Sequence, residues 1–135
     1  MVVRVAQRAA LSGAQQVVVA TDDTRIADAV TAFGGVVRLT DPAHRTGTDR
    51  IAEIARGVAC DIVVNVQGDL PTVEPATVRA AVAPLENAAV DIATACVEIS
   101  RAEEKTDPNV VKVVGSPVAP GRLRALYFTR ATAPH

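Results

Sequence analysis

The group of residues with the clearest chemical potential is Gln67-Gly68-Asp69, directly after the apolar run Asp61-Ile62-Val63-Val64-Asn65-Val66. Open α/β sheets bind ligands beyond the carboxyl ends of their strands, so Asp69 is expected to project at a sheet edge. Mg²⁺ keeps several waters and takes few protein ligands, which suits a lone carboxylate beside bound phosphates. Gly68 is expected to let the backbone turn or approach a ligand closely. The plainer alternative is that Asp69 caps the turn.

A second group is His44-Arg45-Thr46-Gly47-Thr48-Asp49-Arg50. Backbone N–H groups at Gly47 and Thr48 are free to face a ligand if a helix starts there. The hydroxyls of Thr46 and Thr48 can donate to or accept from a nucleobase edge. Arg50 would lie in the first helical turn, where the helix dipole disfavours a cation, so it calls for a ligand or an ion-pair partner. The alternative is a capped helix with solvated arginines. Thr21-Asp22-Asp23 reads as an N-cap cluster. Arg130 is either a bidentate clamp for a substrate carboxylate or a surface arginine. Lys112 alternates with Val110 and Val114, so its ammonium must snorkel or meet an anion. His44 and His135 lack metal-ligand spacing and read as exposed loop residues. There is no GxGxxG, Walker or GxSxG motif.

The elements that must position these residues follow from periodicity. Residues 1–12 put Val2, Val5, Ala6 and Ala9 on one helical face, ended by Gly13. Gln16–Ala20 is a short buried strand. Residues 24–33 form a helix stopped by Gly34-Gly35, and Val36–Leu39 a second strand. Thr48 is expected to cap a helix that stops at Gly57. Residues 61–66 give the clearest strand. Pro75 suits the first position of a helix reaching about Leu85. Residues 91–99 read as a longer strand, and Ser100 with Glu103 has capping-box spacing. Residues 110–114 and 123–128 read as two strands joined by a turn over 115–121, expected to pair antiparallel through their short Gly/Pro connection. Strands alternating with helices imply an α/β fold: a mixed, mainly parallel sheet with helices on both faces.

Composition removes several function classes. The chain has 135 residues, 14 Lys plus Arg against 15 Asp plus Glu, and a formal net charge of −1. That balance offers no basic field for nucleic acid. Phe33, Tyr127 and Phe128 are the only aromatics, too few for a base-stacking platform. An apolar fraction of 49% with 21% charged residues argues against disorder. Two distant cysteines, Cys60 and Cys96, point to neither a zinc site nor a disulfide framework. The longest uncharged stretch, 9–21, is too short to span a membrane. Charges near Met1 disfavour an export signal, so the expected location is the cytoplasm.

Taken in order, VVVATDD (17–23), HRTGTDRIAE (44–53), VVNVQGDLP (63–71), DPNVVKVV (107–114) and ALYFTRATAP (125–134) resemble the 3-deoxy-manno-octulosonate (Kdo) cytidylyltransferase family. The resemblance covers essentially the whole chain and about the middle half of the family's proteins. It implies a nucleotidyltransferase fold of the GT-A-like, Rossmann-like type, truncated at both ends into a single partial domain over 1–135. It implies the Mg²⁺-dependent reaction of CTP with Kdo to give CMP-Kdo and pyrophosphate for lipopolysaccharide synthesis, by a protein that is a homodimer when complete. By motif position, Asp69 is then the metal carboxylate and Gln67 lies near sugar and nucleotide. Thr46, Gly47, Thr48 and Arg50 match the segment around cytosine, and Arg130 matches the arginine near the sugar pocket.

The sequence departs from the family at several points. Leu70 stands where the family usually has Glu, and His135 where it has Trp. The family's first strand and its PARxxSxRLPxKxL phosphate loop have no counterpart here, nor does its carboxy-terminal half. An opening inside an amphipathic helix and an end just after a strand likewise suggest a fragment, which is expected to be inactive by itself. Two other readings compete: a synthetase of the CMP-sialate type, and a non-catalytic remnant serving as a folding or dimerisation module.

Overall fold

The structure, a computed structural model, describes residues 1–133; Pro134 and His135 lie outside the described residues. Contacts gather into two units, Met1–Ala95 and Cys96–His135, each described by itself.

In the first unit, α1 spans Val2–Ala10 and buries Val5 and Ala9 on the face that the spacing predicts. Strand β1, Val18–Thr21, pairs in parallel with β2, Val36–Leu39, in the register Val18 to Val36 through Thr21 to Leu39. The connecting helix α2, Thr24–Ala32, is capped by Asp23, whose side chain accepts from the Arg25 N–H. It ends in a Schellman motif, with Gly35 N–H to Val30 O at 2.9 Å and Gly34 N–H to Thr31 O at 2.8 Å. The positive φ of 79° at Gly34 is what that motif requires. Val30 is 1% exposed, and its burial contributes about 1.5–3 kcal/mol. Helix α3 spans Gly47–Ala55, and α4 spans Pro75–Val82 with a 3₁₀ turn after it at Ala83–Glu86.

The second unit is built on an antiparallel hairpin. Strand β3, Lys112–Ala119, pairs with β4, Arg122–Thr129. The expected turn over 115–121 is mostly strand, because the register shifts twice, at Val114/Gly115 and Pro117/Ala119, so that Gly and Pro sit inside the ladder. Gly115 has a steric reason: a Cβ there would lie 2.7 Å from the carbonyl oxygen of Arg124. The capping box expected at Ser100 does not form. Arg101 occupies the N-cap of the 3₁₀ turn Ala102–Lys105, with no side-chain cap.

Two expected strands, 61–66 and 91–99, carry no ladder among the described residues. Branched residues favour extended backbone, but a ladder also needs a second backbone alongside. For the same reason the parallel and antiparallel pairs stand as separate two-stranded sheets here. The α/β class holds, with β1-α2-β2 as its parallel unit.

Candidate active site

The site is built where α3 begins and where segment 62–67 ends. Thr46, not Thr48, is the N-cap of α3. Its hydroxyl accepts from the Asp49 N–H at 3.1 Å and donates to Asp49 Oδ2 at 2.7 Å. The helix therefore starts two residues earlier than a cap at Thr48 would give, since Thr46 has the extended backbone a cap needs. The N–H groups of Gly47 and Thr48 make no hydrogen bond among the described residues. They are two of the open donors that a helix start offers to an anion or acceptor.

Arg50 is bonded within the chain. Its Nη2 pairs with Asp22 Oδ2 at 3.1 Å, and its Nη1 donates to Thr40 Oγ1 at 2.5 Å and to the Asp41 carbonyl at 3.4 Å. The conflict with the helix dipole is thus resolved by an ion pair to the residue that follows β1. Asp22 is that partner, while Asp23 alone supplies the α2 cap. The Arg25 guanidinium and N–H hold the Asp23 carboxyl down at a pKa of about 2.

His44 is also not a free loop residue. Its ring Nε2 lies 2.5 Å from Glu53 Oε2, which further accepts from the Asp41 N–H at 3.1 Å. Both contacts, the His44 one foremost, lower the Glu53 pKa. Residues 40–46 are therefore tied down on α3 by two side chains one helical turn apart, Arg50 and Glu53.

Asn65, which the sequence reading passed over, joins the two groups. Its amide donates to Thr48 Oγ1 at 3.4 Å and accepts from Gln67 Nε2 at 3.0 Å. Gln67 Oε1 lies 3.6 Å from where a Cβ on Gly47 would stand. So Gly47, Thr48, Asn65 and Gln67 form one polar surface. Alternation along 63–67 was the available signal, since Asn65 and Gln67 share a strand face.

Asp69 follows in a turn closed by Leu70 N–H to Gln67 O at 3.3 Å. Its exposed carboxylate makes no hydrogen bond or ion pair among the described residues, so it does not cap that turn. Gly68 has no positive φ, and a Cβ there would make ordinary contact with Val2 Cγ2 at 4.0 Å. The glycine is therefore not needed for the turn. Leu70 is 46% exposed beside the carboxylate. No cluster of three or more His, Cys, Asp or Glu is positioned to hold a metal among the described residues. A single unengaged carboxylate fits Mg²⁺ as one ligand of an ion otherwise held by water and phosphate oxygens.

In the second unit, Lys112 is 3% exposed, and its ammonium meets carbonyls rather than an anion: Asp107 O at 2.5 Å and Arg130 O at 2.9 Å. Arg130 Nη1 donates to Pro108 O at 2.9 Å and Asn109 O at 3.2 Å. The two cations fasten the 107–109 loop to the end of β4. The rest of the exposed Arg130 guanidinium is without a partner among the described residues.

A cytidylyltransferase family model matches residues 1–135. The chain belongs to the cytidylyltransferase family. A 3-deoxy-manno-octulosonate cytidylyltransferase of Methylobacterium sp. (strain 4-46) is 58% identical over 99% of this chain and 56% of its own length. One from Rhizobium leguminosarum bv. trifolii (strain WSM2304) is 55% identical over 100% of this chain and 55% of its own. A solved structure of CMP:2-keto-3-deoxy-manno-octonic acid synthetase complexed with CTP matches with a TM-score of 0.89 and 40% identity, over 99% of this chain and 54% of that one. The chain thus spans about half the length of the relatives it matches. No helix among the described residues is long and apolar enough to cross a membrane.

Proposed function

We propose that this cytidylyltransferase sequence is the central part of an enzyme that makes CMP-Kdo and pyrophosphate from CTP and Kdo. The observation that carries the reading is the unengaged Asp69 carboxylate two residues beyond Gln67, which lies beside Gly47 and is linked through Asn65 to Thr48 at the open helix start. The names of the relatives support Kdo over a sialic acid as acceptor, and the CTP complex of the structural neighbour supports the nucleotide.

In this reading the Gly47 and Thr48 N–H groups and the Thr48 and Asn65 side chains receive the nucleotide. Thr46 caps the helix that presents them. Gln67 orients the nucleotide and sugar beside it. A hydroxyl oxygen of Kdo bonds to the α-phosphorus, the bond from that phosphorus to the bridging oxygen breaks, and pyrophosphate leaves with the electron pair. The hydroxyl proton passes to water. Asp69 is the carboxylate that would hold magnesium, and magnesium when bound supplies charge neutralisation and alignment of the phosphates. Arg130 supplies two-point recognition of the sugar carboxylate. We further propose a single partial domain over 1–135, a homodimer for the complete protein, a cytoplasmic location and a role in lipopolysaccharide synthesis.

The test replaces the matching region of the Methylobacterium relative with this chain. CMP-Kdo formation from CTP and Kdo by that chimaera supports the reading. CMP transfer to a sialic acid in preference to Kdo overturns the acceptor. A folded chimaera without transfer to either overturns the enzymatic reading and favours a remnant.

A further inference from the structure

The second unit buries a charge that its own stability does not call for. Lys112 opens β3 opposite Thr129, the last residue of β4, and is 3% exposed. Its ammonium has no carboxylate partner among the described residues. It donates instead to the carbonyl oxygens of Asp107 at 2.5 Å and Arg130 at 2.9 Å. Desolvating an ammonium is costly, and an apolar side chain of similar volume at such a position is often as stable or more so. The two bonds belong to a closed ring. The Asp107 carbonyl also accepts the Val110 N–H at 3.2 Å, and the Asp107 carboxylate accepts the Asn109 N–H at 2.8 Å, which shapes the loop. The next carbonyls of that loop, Pro108 and Asn109, accept from Arg130 Nη1 at 2.9 and 3.2 Å, and the Arg130 carbonyl closes the ring on Lys112. The ammonium thus fixes Arg130 at its backbone and, through the loop, at the tip of its side chain.

We infer that Lys112 is a positioning residue for Arg130, holding the guanidinium so that one edge of it is presented in a single orientation to a carboxylate. With Nη1 taken by two carbonyls, the edge left for a two-point contact is the one formed by Nε and Nη2, which make no hydrogen bond among the described residues. Lys112 does not meet a ligand itself, because its ammonium is buried and turned to main-chain oxygens. It acts by removing rotamer freedom that a loose arginine would otherwise lose on binding. Lysine suits the task because its donors radiate from one atom and reach carbonyls on two segments. That the carboxylate belongs to Kdo rests on the proposed function. The brace does not, and the two are tested apart.

The brace is read in the chain as it is, by NMR of the Arg130 Nε–H group, with the exposed Arg122 and Arg124 of the same hairpin as references. In the unaltered chain, Arg130 Nε–H is expected to be well ordered, and Lys112 Nζ to show scalar coupling across its hydrogen bonds to the Asp107 and Arg130 carbonyl carbons. Lys112→Met, which keeps an apolar stem, is expected to leave the β3 and β4 amide signals in place and to drop the order of Arg130 Nε–H to that of Arg122 and Arg124. Missing couplings or unchanged Arg130 order overturn the inference. So does a Lys112→Met hairpin that no longer folds, because the lysine would then be a general support. The consequence for the reaction is read in the Methylobacterium chimaera. There Lys112→Met should raise KM for Kdo by about tenfold, the low end for one charge-assisted contact, and leave KM for CTP unchanged. In an Arg130→Gln background it should add nothing, and an additive loss would make Lys112 a separate contact and overturn the inference. If Arg130→Gln by itself leaves KM for Kdo unchanged, the Kdo reading of Arg130 is overturned and the order measurement alone decides the brace.

Discussion

The start of α3 and the turn after residue 66 are joined by the Thr48–Asn65–Gln67 hydrogen bonds, yet they use their polar residues in opposite ways. Around α3 nearly every polar side chain is bound to the chain itself: Thr46 to Asp49, Arg50 to Asp22 and Thr40, Glu53 to His44. In the turn, the exposed Asp69 carboxylate makes no hydrogen bond or ion pair among the described residues. The first region is framework that holds backbone donors in place. The second keeps an acidic side chain available. The difference separates polar residues tied to the chain from a carboxylate left open, although both sets are polar and both follow a strand-like run. It places Arg50 among the side chains bonded to the framework.

This division has consequences that mutation can break. The largest is expected for Asp69→Asn in the active chimaera. Steady-state CMP-Kdo formation should fall by about 10²–10³-fold, the scale for losing one charge-stabilising group at a reacting phosphate. The melting temperature should not move, because the carboxylate has no internal partner to lose. Unchanged turnover would remove Asp69 from the chemistry.

Next is Arg50→Met, which should cost about 1.5–3 kcal/mol in urea unfolding, since it strips charged hydrogen bonds from Asp22 and Thr40. Arg50→Lys should recover only part, because one ammonium cannot reach both partners as a planar fork does. A variant that keeps full stability but loses CTP affinity would return Arg50 to the ligand set.

Thr46→Ala should cost about 1 kcal/mol through the lost cap. Gly47→Ala should be neutral or stabilising by up to ~1 kcal/mol, because the new methyl meets Gln67 only at ordinary contact distance and alanine favours a helical position. If Gly47→Ala weakens CTP binding in the chimaera while stability holds, close approach of ligand is the reason for the glycine.

The smallest effect is acid sensitivity of the framework. Asp23 and Glu53 both have lowered folded pKa values, Asp23 at about 2 from an ordinary 3.8. A lowered carboxyl pKa gives stability that is complete above the unfolded value and is lost as pH falls through the folded one. Melting temperature should therefore decline as pH falls below about 4 and on toward 2, by a small amount because both groups are solvent-screened. Asp23→Asn should flatten part of that slope, and an unchanged slope in Asp23→Asn together with Glu53→Gln would contradict the assignment.

Much of this arrangement is legible in residue order. Alternation of apolar period placed α1, α2, β2 and α4 close to where they stand, because each element buries a stripe that its own spacing defines. The approach of the 44–50 and 67–69 groups was expected only through family resemblance. What periodicity missed is mutual: that Thr46 rather than Thr48 holds the cap, that His44 has Glu53 opposite, that Asn65 bridges to Thr48. Each needs the position of a second residue 3 to 17 places away, and a propensity carries no such information.

The sequence by itself determined the order of helices and extended segments, the turn at Gln67–Leu70 and the type of chemistry its acid can perform, since these depend on local spacing and side-chain identity. Tertiary structure decided which cations are tied to the chain's own oxygens, which carboxylate is left open, and which extended runs find a ladder. Those outcomes depend on what lies opposite in space, because a hydrogen bond or an ion pair is a property of two groups and their distance, and a strand becomes a sheet only when a second backbone comes alongside.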